Sequence, residues 1–290
     1  MKNNHFLILT FASIVTFSCT SPIKKETGFR PLFNGENIQG WETYIGIPGP
    51  GIEINGFVRD SSGMYTEPIG LNYDPLSIFT VVTEDGEPAV RVSGQVNGAL
   101  ATIEEFGNYH FRMQVKWGEK KWGSNLEMPR NSGLLYHGTG EYGRGLGVWK
   151  TSHECQVMET MFGDSYRMGD SYCSIYASKP EGSERYVYNP AGSLLEVGEG
   201  REAGKIVSKS VMAEKPYGEW NTVEIICFEG KAIHIINGRV NMVIENSHLF
   251  LDGRELPLMR GNIQLQSEGS EVYFRKMEIR GISEIPAKYL

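Results

Sequence analysis

Between Trp149 and Glu159 the chain reads Trp-Lys-Thr-Ser-His-Glu-Cys-Gln-Val-Met-Glu, which brings two carboxylates and an amide into one short stretch. Two carboxylates sharing a cleft push their pKa values apart, so that one can give a proton while the other takes one. In a strand, alternate side chains share a face. Glu154, Gln156 and Met158 would then point one way, and His153, Cys155, Val157 and Glu159 the other. A β-bulge between Gln156 and Glu159 would swing Glu159 onto the face of Glu154, and bulges commonly re-aim side chains beside active sites. Such a bulge is expected here. Without it the same acids are ordinary groups on a half-exposed strand.

A second segment, Asn131-Ser132-Gly133-Leu134-Leu135-Tyr136-His137, ends in a histidine and would lie on a neighbouring strand of the same sheet. His137 then joins the two acids as a candidate proton donor or as a group that holds a polarised oxygen. The amide of Asn131 and the hydroxyl of Ser132 could orient sugar hydroxyls, or the three residues could simply form a turn. A divalent cation held by His137 and the acids would also polarise a carbonyl. The His and Glu positions show no metal-ligand spacing, so a divalent metal is an open option and no cofactor is assigned.

Strand signals run through nearly the whole chain. Tyr109, Phe111, Met113, Val115 and Trp117 alternate with His110, Arg112, Gln114 and Lys116, a period of two with one apolar face, which places His110 toward solvent. Trp220–Phe228, Lys231–Ile236 and Arg239–Ile244 are separated by Glu229-Gly230 and Asn237-Gly238, short turns of the kind that close hairpins. Gln264 and Gln266 share one face of a later strand, with Ile263 and Leu265 on the other. Many strands without intervening helices predict an all-β fold, a jelly-roll sandwich of two antiparallel sheets. The 35 glycines and 14 tyrosines suit turns and strands. Trp122, Tyr142 and Trp149 flank Gly-rich loops that would suit a sugar-stacking rim.

The N-terminus predicts an address. Lys2 precedes an apolar run from Phe6 to Phe17 and then Ser18-Cys19, the pattern of a signal peptide over residues 1–18 with Cys19 as a lipidated first mature residue. Residues 19–28 read as a tether, and residues 29–290 as one domain. A lipid-anchored place in the cell envelope is expected, on the periplasmic side, because Thr20 to Lys25 carries no acidic export signal. The membrane is met through the lipid alone. The net charge of −7, with both signs interspersed, argues against a nucleic-acid partner. Cys155, Cys173 and Cys227 remain, an odd set with no Cys-x-x-Cys pair; Cys155 and Cys173 could be bonded or free.

Six motifs in order carry a resemblance: Phe33-Asn34-Gly35 with Gly40-Trp41, Asn131 to His137, Glu154-x-Gln156-x-x-Glu159, Gly218-Glu219-Trp220-Asn221, Ile236-Asn237-Gly238, and Phe274-Arg275. Together they resemble the 3-keto-disaccharide hydrolase domain over residues 29 to 282. The resemblance implies a concanavalin-A-like sandwich of two curved antiparallel sheets, in secreted or lipid-anchored bacterial proteins. This chain has Glu159 where the family commonly has Asp.

The implied substrate is an oligosaccharide or other glycoside bearing a ketone at C3. That ketone acidifies the C2 hydrogen, so a base can remove it, the aglycone can leave C1 by elimination, and water can add. Glu154 is the expected base, Glu159 or His137 the acid, and Gln156 with His137 the holders of the keto oxygen, while Asn131, Ser132, Tyr136 and Trp149 are expected to contact sugar. Two alternatives compete. The central motif also resembles the Glu-x-Asp-x-x-Glu strand of retaining β-glucanases, with Gln156 in place of the middle Asp. The fold also hosts lectin-like binding modules, and fold alone does not decide between them.

Overall fold

The computed structural model of the protein describes residues 28–289. The signal peptide, Cys19 and most of the tether lie outside the described residues. Two antiparallel sheets face one another, one of eight strands and one of twelve, so the expected jelly-roll sandwich is the observed class. In spatial order the smaller sheet runs Ile206–Val207, Ser165–Met168, Thr151–Met158, Asn131–Thr139, Asn262–Ser267, Gly98–Thr102, Trp41–Ile45 and Gly70–Leu71.

Period-two patterning builds the core between the sheets. Tyr109, Phe111, Met113, Val115 and Trp117 of the long strand Tyr109–Lys121 are all buried, against Val223, Ile225 and Cys227 of the next strand. Opposite them, Cys155, Leu134, Leu265 and Leu100 stand in register across four strands of the smaller sheet. Each such side chain contributes about 1.5–3 kcal/mol on burial, and the closed layer fixes which face of each strand is left outward. The turns expected at Glu229-Gly230 and Asn237-Gly238 close hairpins with both residues of each pair at positive φ, which suits the right-handed twist of the flanking strands.

One local expectation differs. His110 is buried, because Phe29 and Tyr289 cover it and its Nε2 meets Glu224 Oε2 at 2.8 Å. Alternation predicted its face correctly, but chain ends packed on that face took it from solvent. The three core cysteines are free thiols. Burial pushes Cys173 and Cys227 up to about 12, which keeps them uncharged and unreactive.

Candidate active site

Register across the smaller sheet assembles two rows of side chains on its outer face. One row runs Tyr166, Glu154, Leu135, Gln264, Ala101, Glu42; the next runs Gln156, Gly133, Gln266, Ala99, Tyr44. Glu154 and Gln156 therefore share a face, as alternation requires. An isolated bridge from Asn131 to Glu268 carries the pattern one step further, so Gln264, Gln266 and Glu268 follow one another on that same face.

Several polar atoms of this face are buried and unanswered among the described residues. Asn131 Oδ1, both oxygens of Glu154, Gln264 Nε2 and both amide atoms of Gln266 have no hydrogen-bond partner among the described residues. A buried amide without a partner costs about 1–3 kcal/mol and an unpaired carboxylate more, so a cluster of them is built for a polar ligand. Glycine makes the room. A Cβ at Gly133 would lie 2.2 Å from Glu154 Oε1 and 2.4 Å from Gln266 Oε1, so the two side chains lean over that bare backbone toward each other. Gly138 plays the same part under Gln264, whose Nε2 would be 2.7 Å from its Cβ.

Burial pushes the Glu154 carboxyl well above the ordinary carboxylate range of pKa, and the neighbouring Glu268 adds to the rise. Burial likewise pushes Glu268 up to about 7. Tyr166 is raised first by its own burial and then by the charge of Glu154, with Lys205 and Arg167 pulling the other way. Two carboxyls of different acidity on one face can hold one proton between them near neutrality.

At one end of the face lies an aromatic and charged platform. Tyr44 and Tyr142 stack at 4.3 Å with parallel rings, Tyr142 donates to Glu42 Oε1 at 2.8 Å, and Lys150 Nζ sits 4.6 Å over the Tyr142 ring and 3.0 Å from Asn262 Oδ1. Beyond Tyr166, a surface cavity of about 340 Å³ is walled by Arg144, Arg167, Asp170 and Lys205. Flat aromatic faces beside polar groups suit sugar rings.

Several expected members are elsewhere. The register of Thr151–Met158 against Asn131–Thr139 is unbroken from His153 to Met158, so the bulge expected before Glu159 is absent. Glu159 falls in the turn after the strand, where Arg130 Nη1 donates to its Oε1 at 2.9 Å and the Arg130 backbone N–H to its Oε2 at 2.8 Å. It clamps a turn and does not face Glu154. The irregularity lies instead between Tyr136 and Thr139, with His137 at φ 54°. It turns two successive side chains inward: Tyr136 bonds His234 Nε2 at 3.0 Å, and the His137 ring lies 6.0 Å from that of core Tyr109. Burial pulls His137 down to about 4, so it is neutral, and it shares a sheet with Glu154 but not a face. No cation can be held by His137 and these acids together.

Ser132 also points inward, its hydroxyl donating to the Gln266 carbonyl at 2.8 Å. Trp149 does lie on the outer face, but buried over Leu135 and Ala99 with its Nε1 donating to the Gly98 carbonyl at 2.8 Å, so it is a support and not an exposed stacking rim. Of the sugar contacts expected, Gln156 and Asn131 remain on the site face. Gln264, Gln266 and Glu268 were missed as members, although Gln-x-Gln-x-Glu opposite Ile263 and Leu265 places three polar groups on one face of a strand. Among the described residues one group of His and acid side chains lies close enough to share an ion, and it is on the larger sheet.

A family model described as the 3-keto-alpha-glucoside-1,2-lyase-like domain matches residues 28–280. Among curated proteins none matches the chain at a significant level. Of solved structures, one from Parabacteroides distasonis, assigned provisionally as a glycosyl hydrolase, is 16% identical with a TM-score of 0.46, covering 88% of this chain and 94% of that one. The carbohydrate-binding module CBM66 from Bacillus subtilis is 6% identical with a TM-score of 0.40, covering 70% of this chain and 92% of that one.

Proposed function

The chain belongs to the 3-keto-alpha-glucoside-1,2-lyase-like family, and we propose that it cleaves glycosides carrying a ketone at C3, by elimination across C1 and C2 followed by addition of water. The observation that carries the reading is the buried Glu154 carboxyl, unpartnered at both oxygens, beside Glu268 and the open amides of Gln264 and Gln266. Glu268, with its value near 7, takes the C2 proton. The electron pair of that C–H bond moves into the ketone, giving an enolate whose oxygen receives the amide N–H groups of Gln264 and Gln266. The enolate then collapses to a C1–C2 double bond and expels the aglycone oxygen, which collects the proton held by Glu154. Water adds at C1 while C2 regains a proton. In this proposal Glu154 serves as the acid, where the sequence led to its expectation as the base, and Glu268 takes the part of base.

The test compares a 3-keto-glucoside with its unoxidised parent in deuterated water. Cleavage of the keto substrate alone, with deuterium entering C2, is expected. Efficient cleavage of the parent with no label at C2 would favour a glucanase-like mechanism, and saturable binding without cleavage of either would leave a lectin-like module.

The same reading puts the domain in a bacterial envelope, anchored through Cys19, where it would meet glycosides outside the cytoplasm. Cys19→Ala should move the protein from the membrane fraction to the soluble one with its circular dichroism unchanged. Retention in the membrane fraction would overturn the anchor.

A further inference from the structure

On the larger sheet, three strands bring Glu196, His248 and Glu255 together. Glu196 lies on Ser193–Val197, which pairs with Ser171–Ser178; His248 lies on Arg239–Leu251; and Glu255 lies on Arg254–Pro257, an exposed strand held at the sheet margin. One ligand atom from each residue lies within 4.8 Å of the others. The imidazole is 4% exposed and stacks on Tyr172, with ring centroids 5.8 Å apart.

The orientation of that ring is the informative feature. His248 Nδ1 meets the Asn246 carbonyl at 2.8 Å, and a carbonyl can only accept, so Nδ1 carries the proton. Nε2 is then a bare lone pair in the neutral ring. It is buried, has no hydrogen-bond partner among the described residues, and faces Glu196 Oε1 at 3.5 Å. Two acceptors directed at each other are stable only with a proton or a metal ion between them. A backbone carbonyl that fixes the other ring nitrogen is the arrangement by which metal-binding histidines are oriented. Arg201 Nε lies 3.0 Å from Glu196 Oε2, which occupies that oxygen and leaves Oε1 turned to the histidine. His248 and Glu255 line a surface cavity of about 230 Å³, with room for water at a fourth position.

We propose that Glu196, His248 and Glu255 bind a first-row divalent cation, of which zinc is the natural probe. One imidazole nitrogen and two carboxylate oxygens match zinc's preferred donors, and the two acids balance its charge. Ligand atoms about 3.4 Å apart are required by bonds of about 2.0–2.2 Å, so the side chains close slightly on the ion. The cation would staple the exposed Arg254–Pro257 strand to Ser193–Val197 across the sheet. It stands apart from the site of Glu154 and does not depend on the activity proposed there.

The test titrates zinc chloride into chelator-treated protein by calorimetry and follows thermal unfolding with and without zinc. Wild type should bind one zinc per chain and melt at a higher temperature with it. His248→Ala should lose the site, and Glu255→Gln, a change at an exposed position that keeps the fold, should weaken it by at least about tenfold. Glu154→Gln should bind zinc as wild type does. No saturable binding by wild type would overturn the proposal. Zinc binding that survives both His248→Ala and Glu255→Gln would overturn it equally.

Discussion

Glu154→Gln is expected to lower turnover of a 3-keto-glucoside by about 10²–10⁴-fold while the substrate still binds, because glutamine keeps the size of the side chain and cannot give up a proton. The loss should depend on the leaving group. An aglycone that departs as a weakly basic aryloxide needs no proton, so an aryl 3-keto-glucoside should recover most of the lost rate. Exchange of the C2 hydrogen with deuterated water should persist in the variant, since Glu268 still takes that proton. Loss of exchange together with turnover would make Glu154 the base instead, and unchanged turnover would remove it from the chemistry.

The same variant reports on burial. Glu154 is raised well above its ordinary value of 4.5 in the folded protein. Above about pH 4.5 the unfolded chain has therefore lost a proton that the native state retains, and wild type loses stability as pH rises from there through the folded value. Glutamine carries no such penalty. The melting temperature of Glu154→Gln should accordingly exceed that of wild type, by a margin that widens from pH 5 to pH 8. The buried histidines work the other way: His137 and His234, held near 4, and His153, held near 3, cost stability as pH falls below 6.5. They are common to both proteins and cancel in the difference. A margin that narrows as pH rises would contradict the buried carboxyl.

Gly133→Ala should be nearly as damaging to activity from a single methyl group. Its Cβ would overlap Glu154 Oε1 and Gln266 Oε1, and both residues are held on rigid neighbouring strands with little freedom to retreat. Misplacing a reacting group by about 1 Å costs about 10²-fold, and overpacking costs about 1–3 kcal/mol of stability. Turnover should fall by that order and the melting temperature should drop. Gly140→Ala makes a useful contrast, since nothing lies within 4 Å of a Cβ there, and its positive φ should affect stability alone. Full activity in Gly133→Ala would mean that Glu154 and Gln266 do not act where they lie.

By itself the sequence determined the class of fold, the strands and hairpins named by their alternation and turns, the common face of Glu154 and Gln156, and the family. Those are local properties: successive side chains alternate, Glu-Gly and Asn-Gly tolerate positive φ, and an apolar face must be covered. Tertiary structure decided the membership of the site. Strand pairing brought Gln264, Gln266 and Glu268 beside Glu154 from far along the chain. A single irregularity after Tyr136 turned His137 into the core, and the end of a strand at Met158 handed Glu159 to Arg130. A shift of one residue reverses the face of every side chain beyond it, so facing depends on register and bulge position, which hydrogen bonds to distant strands settle.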